Sequence, residues 1–174
     1  MIIGLSGYAR SGKDTVAGML IGIHGYHNIA FADPIRKFLY DVNPSIKDGG
    51  YRLRSLVDAY GWETVKTEYP EARELLQRAG VAARTHIDEA VWVTAAFNKV
   101  KDKPKVVVTD VRFKNEAAKI KEMGGQIWRV TRIGTNPAND HISEIDMDDW
   151  DFDAVITNNS DMPNLIKQIR KLLG

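Results

Sequence analysis

Five short apolar runs, rich in β-branched residues, recur along the chain: Ile2–Ser6, Asn28–Phe31, Val106–Thr109, Ile127–Thr131 and Ala154–Thr157. Several are apolar at consecutive rather than alternating positions, the pattern of strands covered on both faces in a parallel sheet. Between them the apolar positions return at helical spacing. One helix begins near Gly12 and runs to about Gly22, and a second follows Asp33-Pro34, where proline suits a first turn. A third spans Pro70 to Gly80, with Glu71 in its first turn and glycine at its end. Thr85-His86-Ile87-Asp88 resembles a capping box for a helix carrying Trp92, Ala96 and Val100. Phe113–Met123 closes on Gly124-Gly125, and the last helix, roughly Pro163–Leu173, aligns Leu165, Ile169 and Leu172.

Strands alternating with helices imply βαβ units and an α/β fold built on a five-stranded parallel sheet. The long, mostly helical interval between the second and third strands is expected to project from the sheet's C-terminal edge, where such sheets bind ligands. The segment at about 132–150, between the fourth and fifth strands, is a second candidate cover. The expected organisation is one domain over 1–174, with a helical insertion at about 34–100 and a small cover at about 132–150.

Composition narrows the classes. The chain has 174 residues, 44% hydrophobic and 27% charged, which fits one globular domain. It has no cysteine, so disulfides, thiolate metal sites and cysteine nucleophiles are excluded. The formal net charge of +1 gives no support for a nucleic-acid or membrane partner. The N-terminus lacks the basic and uninterrupted apolar regions of a signal peptide, and no apolar run approaches the length of a membrane span. A soluble, cytoplasmic protein is expected. Homodimerisation is left open.

The chemistry begins at Gly7-Tyr8-Ala9-Arg10-Ser11-Gly12-Lys13, which matches the GxxxxGK pattern of a phosphate-binding loop. Glycines let the backbone curl so that successive N–H groups face a phosphate, and the following helix adds its positive N-terminal end. Lys13 then reaches the β- and γ-phosphates as a mobile charge. A strand before the motif and a helix after it meet the structural context that it requires. The residue after Lys13 is Asp14, where Ser or Thr normally meets magnesium; Thr15 comes next. Either Asp14 ligates the ion, directly or through water, or Thr15 takes that role.

Further motifs extend the pattern: Phe31-Ala-Asp-Pro-Ile-Arg-Lys37, Leu75-Leu-Gln-Arg-Ala-Gly80, Asp110-Val-Arg-Phe-Lys-Asn-Glu116, His141-Ile-Ser-Glu144 and Val155-Ile-Thr-Asn-Asn159. With the loop at 7–15, this series resembles the bacteriophage deoxynucleoside monophosphate kinases, a branch of the P-loop nucleoside monophosphate kinases. The motifs run in family order over most of the chain, although 41–69 carries none of them. Asp14 is itself typical of this branch. Animal-type phosphomevalonate kinases resemble the same Gly-Lys-Asp loop, so that motif alone does not settle the substrate. The resemblance implies a three-layer P-loop kinase fold and ATP with Mg2+ as cofactors. The loop residues Gly7, Ala9, Arg10, Ser11, Gly12, Lys13, Asp14 and Thr15 would bind the nucleotide, and a deoxynucleoside monophosphate would be the acceptor.

Each further residue has an alternative role. The resemblance makes Asp33 a binder of the acceptor or of magnesium-bound water; otherwise it is the N-cap of the helix that Pro34 begins. Asp110 closes the Val-Val-Val-Thr strand, as expected of the second magnesium-side motif. Arg112 offers a planar fork for a phosphate monoester, or else an ion pair with Glu116 four residues on. Gln77, Arg84, Asp88 and Trp92 supply hydrogen bonds, a cation and a flat apolar face for an acceptor nucleotide, Trp92 being equally a core aromatic. The resemblance implies a lid arginine, for which Arg132, past the strand end, is a better candidate than Arg129. It also sets Asn158 against adenine, the alternative being a turn that caps the last helix. His141 and Glu144 are weak evidence for a metal pair. The acidic run from Glu144 to Asp153 reads as a solvated face, and Lys99–Lys105 as an exposed connection.

A nucleotide phosphate is already anionic near neutrality and needs no general base. The task is to hold two repelling anions in line, for which Arg10, Lys13, Arg36, Lys37, Arg84, Arg112 and Arg132 are the available cations. The alternatives are a P-loop kinase of an alcohol such as dephospho-coenzyme A, with Asp33 as base, and a regulatory P-loop ATPase acting through a protein partner.

Overall fold

The apolar runs do pair as a parallel sheet. The computed structural model describes residues 1–47, 49–137 and 142–174. Its strands are β1 (Ile2–Ser6), β2 (His27–Ile29), the hairpin β3 (Ser45–Ile46) and β4 (Tyr51–Arg52), β5 (Val106–Val108), β6 (Gln126–Thr131) and β7 (Ala154–Thr157). Its helices are α1 (Lys13–His24), α2 (Ala32–Val42), α3 (Leu53–Glu68), α4 (Pro70–His86), α5 (Val91–Phe97), α6 (Lys114–Glu122), α7 (Ile142–Ile145) and α8 (Met162–Leu173). The chain divides into two compact units, Met1–Ala30 with Phe97–Gly174, and Phe31–Ala96.

The first unit holds the main sheet, in the order β2-β5-β1-β6-β7 with every pair parallel. Side chains alternate across a strand, so Ile3 and Leu5 face one side and Gly4 the other. Ile3, Leu5, Trp128, Val130 and Ile156 form one core with Val16 and Leu20 of α1 and with Leu165 and Ile169 of α8. On the opposite face a Cβ at Gly4 would come within 2.9 Å of Ile120, Ile127 and Val111, so α6 sits close against β1 there. The central strand β1 has β5 on one side and β6 on the other. The crevice at its C-terminal end is therefore the switch point at which open α/β sheets bind ligands.

The second unit is built from α2, α3, α4, most of α5 and the β3–β4 hairpin. Its core gathers Leu39, Ile46, Leu53, Leu56, Val65 and Ala72. Several local boundaries differ from those expected of the sequence. The second strand is His27–Ile29, and Phe31 instead precedes the first turn of α2. Asp33 consequently lies inside that first turn and is not its N-cap. Helix α4 continues through Gly80 to His86: Gly80 is buried with Ile35 at ordinary contact distance and does not take the left-handed conformation of a helix end. Thr85 is thus no cap: it sits in the last turn of α4 and donates to the Val81 carbonyl at 3.0 Å. Val100 falls outside α5. Helix α3 and the hairpin fill the stretch without motifs, with Gly61 (φ 75°) breaking α3 into two helical pieces.

Candidate active site

The loop between β1 and α1 is bent by three left-handed residues, Gly7 (φ 146°), Arg10 (φ 65°) and Gly12 (φ 101°). Two of them leave no room for a side chain. A Cβ at Gly7 would lie 2.3 Å from the Val130 carbonyl oxygen, and one at Gly12 would lie 2.1 Å from the Asn158 amide nitrogen. Arg10 holds the same backbone region with a side chain, at a cost of about 1 kcal/mol. The Ser11 N–H donates to the Tyr8 carbonyl at 3.2 Å, closing the turn. The Asn158 amide, from beyond β7, donates to the Ser11 carbonyl at 3.0 Å and pins the loop from outside. Asn158 therefore contacts the loop itself, and the cap of α8 is Asp161, which accepts from the Asn164 N–H.

Lys13 is folded back over this loop. Its Nζ donates to the Gly7 carbonyl at 2.6 Å and to the Tyr8 carbonyl at 2.9 Å. Burial, and after it the charge of Arg112, depress its pKa to about 8, with Asp14 and Glu144 acting in the other direction. A depressed lysine is one short of anionic partners, which a polyphosphate would supply. Asp14 is exposed in the first turn of α1, Thr15 is half-buried beside it, and Asp110 is half-buried just past β5. These offer oxygen donors alone, the set a hard cation takes. Among the described residues no three His, Cys, Asp or Glu side chains gather into a metal cage. Magnesium is commonly held by one or two protein oxygens together with substrate phosphates.

An acidic segment borders the loop. Glu144 on α7 accepts from Arg112 Nη1 at 2.7 Å, and its side chain is only 7% exposed. Asp148 accepts from the Tyr8 hydroxyl at 2.8 Å and from Arg129 Nη2 at 2.8 Å. The Arg129 guanidinium lies over the Tyr8 ring at 4.6 Å and the Phe152 ring at 5.4 Å, and its side chain is 12% exposed. Burial first, and then the bond to Asp148, raise the Tyr8 pKa above that of a free phenol. Asp146 accepts from the Lys114 N–H, Asp149 pairs with its ammonium, and Asp153 takes Lys121 and the Ile127 N–H. The run from Glu144 to Asp153 is not a solvated face: five of its carboxylates have specific partners. Arg112 pairs with Glu144 rather than with Glu116, whose carboxylate instead accepts the backbone N–H groups of Arg112 and Phe113. His141, the other half of the candidate metal pair, lies outside the described residues.

In comparisons with known proteins, residues 63–169 match the model of the deoxynucleotide monophosphate kinase family. The chain belongs to that family. A protein of Acanthamoeba polyphaga mimivirus assigned as a deoxynucleotide monophosphate kinase is 30% identical over 192 residues, covering 97% of this chain and 94% of that one. The deoxynucleotide monophosphate kinase of Escherichia phage RB69 is 32% identical over 107 residues, covering 58% of this chain and 44% of that one. Among solved structures, TT1252 from Thermus thermophilus superposes with a TM-score of 0.53 at 17% identity, covering 99% of this chain and 95% of that one. A dephospho-CoA kinase from Campylobacter jejuni gives 0.51 at 14% identity, covering 99% and 94%. At such identities the likeness carries the fold alone, and the fold is that of the P-loop kinases.

Within this family member the expected site residues fall into two groups. Arg10, Lys13, Asp14, Thr15, Asp110, Arg112, Arg132 and Asn158 belong to the sheet unit, and Lys13 feels the charges of Asp14, Arg112 and Glu144 directly. Arg132 is exposed past the end of β6, and its carbonyl accepts from Thr135. Asp33, Lys37, Gln77, Arg84, Asp88 and Trp92 belong to the helical unit. There Asp33 pairs with Arg36 at 3.7 Å, and Arg36 with Glu63 at 3.3 Å. Lys37 pairs with Asp41 on the surface of α2. Gln77 and Arg84, seven residues apart on α4, share a helix face. Asp88 accepts from the Ala90 N–H in the turn before α5. Trp92 is 8% exposed, and its ring N–H donates to the Gly80 carbonyl at 3.0 Å, the packing role its spacing allowed. Sequence reasoning passed over Tyr8, Asp148 and the buried setting of Arg129, and it paired Glu116 with the Arg112 side chain rather than with backbone N–H groups. The two aromatics within the acidic run, Trp150 and Phe152, were the available hint that it packs against something.

No described helix is long and apolar enough to cross a membrane.

Proposed function

We propose that this protein transfers the γ-phosphoryl group of ATP to a deoxynucleoside monophosphate, giving ADP and the deoxynucleoside diphosphate. An acceptor phosphate oxygen bonds to the γ-phosphorus as the bridge to the β-phosphate breaks, and the bridging oxygen leaves on ADP. The acceptor is already anionic, so no residue need remove a proton. What the protein must supply is position and positive charge.

The observation that carries this reading is Lys13, resting on the carbonyls of Gly7 and Tyr8 inside a loop curled by Gly7 and Gly12. A polyphosphate offers this ammonium better acceptors than two neutral carbonyls. Ser11 adds to the case: its buried hydroxyl has no hydrogen-bond partner among the described residues, and a phosphate oxygen would give it one. In this reading the donor nucleotide lies along residues 7–15 with Asn158 beside it. Magnesium is held by oxygens of Asp14, Thr15 or Asp110 and contributes charge neutralisation on the phosphates. Arg10 and Arg132 face the transferring group, and Arg112 faces the phosphate of the acceptor. Asp33, Lys37, Gln77, Arg84, Asp88 and Trp92 are assigned to the acceptor, within a helical insertion of about 34–100. The segment at about 132–150 is assigned as the lid, whose closure would exclude water and suppress futile hydrolysis.

The test is a coupled ADP-release assay across deoxynucleoside monophosphates, ribonucleoside monophosphates and dephospho-coenzyme A, with Lys13→Ala as control. Release stimulated by deoxynucleoside monophosphates and lost in the variant is expected. Stimulation by dephospho-coenzyme A and by no nucleoside monophosphate would overturn the assignment.

A further inference from the structure

Arg112 is held at both ends by buried carboxylates. Its backbone is fixed first: the Val111 N–H continues the sheet by donating to the Leu5 carbonyl at 3.1 Å. The Arg112 N–H then donates to Glu116 Oε2 at 2.8 Å, and Glu116 is itself buried. At the far end Nη1 donates to Glu144 at 2.7 Å. The two sides of this pair differ sharply, since the Glu144 side chain is 7% exposed and that of Arg112 is 45% exposed.

That asymmetry argues against a role in stability alone. Taking a carboxylate out of water costs several kcal/mol, so a buried ion pair is weak evidence for a purely stabilising role. What such an arrangement does well is orient. The guanidinium is planar with five N–H donors, and fixing one nitrogen fixes the plane of all of them. Glu144 holds Nη1 and leaves the exposed remainder of the fork for another acceptor. The location suits a phosphate, because the Arg112 charge reaches Lys13 strongly enough to depress its pKa. Glu144 is in turn carried by an anchored segment: Asp146, two residues on, takes the N–H of Lys114, two residues beyond Arg112.

We propose that Glu144 is a positioning residue for phosphoryl transfer, orienting the Arg112 guanidinium toward the reacting phosphates without touching them itself. This rests on the kinase reading above. Removing the carboxylate should leave Arg112 in place but free to rotate, so the loss appears in kcat more than in binding.

The experiment is a double-mutant cycle of Glu144→Gln and Arg112→Ala, read as kcat and KM with a deoxynucleoside monophosphate. It is paired with nitrogen-15 NMR of the Arg112 guanidinium in the wild-type protein, assigned by its disappearance in Arg112→Ala. The expected results are a loss of kcat of about tenfold in Glu144→Gln, little change in the KM for ATP, and a double variant no slower than Arg112→Ala. Separate Nη resonances, marking hindered rotation, are expected in the wild type. Three results would each overturn the proposal: the same tenfold loss on the Arg112→Ala background, a lowered acceptor KM with kcat unchanged, or a single averaged Nη resonance in the wild type. The NMR measurement needs neither turnover nor the Glu144 variant, so it decides the matter even if that variant misfolds. A wild type without deoxynucleotide-dependent ADP release would instead count against the kinase reading, with the Arg112 spectrum still judging Glu144.

Discussion

Lys13 makes the affinity for ATP depend on pH in a way the structure specifies. In the free protein its pKa is depressed to about 8, first by burial and then by Arg112. Bound to a polyphosphate, it gains several negative charges that favour its protonated form. Only the charged form binds well, so the apparent dissociation constant should grow as one plus ten to the power of pH minus 8. That is about tenfold between pH 7 and pH 9, and about thirtyfold by pH 9.5. ATP itself is fully ionised by pH 8, so the trend above that point belongs to the protein. Titration calorimetry with Mg-ATP in two buffers of different ionisation enthalpy would measure both the affinity and the proton uptake, expected to reach about half a proton at pH 8. Lys13→Met should bind weakly at every pH and lose the slope. An unchanged affinity from pH 7 to 9.5, or an equal slope in Lys13→Met, would refute the reasoning. Stability carries the opposite mark of the same shift. A lysine whose pKa falls on folding binds fewer protons in the native state between about pH 8 and 10.5, so its contribution to stability improves as pH rises through that window. Lys13→Met should therefore be more stable than the wild type at pH 7 in chemical denaturation, by about 3 kcal/mol at most, with the advantage gone by pH 10.5.

Three other expectations follow from particular contacts. Gly12→Ala drives a methyl group to 2.1 Å from the Asn158 amide at φ 101°, so it should cost about 2 to 4 kcal/mol in chemical denaturation and abolish Mg-ATP binding; binding within twofold of wild type would contradict the cradle geometry. Asp148→Ala strands the nearly buried Arg129 guanidinium and the Tyr8 hydroxyl, with an expected loss of about 3 kcal/mol in urea unfolding, whereas Tyr8→Phe alone should cost about 1 kcal/mol. Trp92→Ala should cost about 3 to 5 kcal/mol by emptying a buried site, and Trp92→Phe much less, by thermal denaturation; near-neutral behaviour of Trp92→Ala would show that this ring is not part of the core.

What could be read from residue order alone was whatever depends on near neighbours. The β-branched runs became strands because covering both faces demands apolar residues at every position, and that demand is visible locally. The loop at 7–15 was legible because curling a backbone about a phosphate needs glycine at set intervals, with a helix beginning on the lysine. Other features depended on what packs from afar. Gly80 looked like a helix end, but α4 runs through it to His86, and its carbonyl accepts the Trp92 ring N–H from α5. Helix α3 escaped notice because Gly61 interrupts its periodicity. Above all, the charges of Glu144 to Asp153 said nothing about whether those carboxylates face water. Only the pairing of β6 beside β1 brings Arg129 alongside Tyr8, and only the packing of the 142–150 segment brings Glu144 to Arg112. Burial and charge pairing are set by distances in space between residues far apart in the chain, and a one-dimensional pattern does not contain those distances.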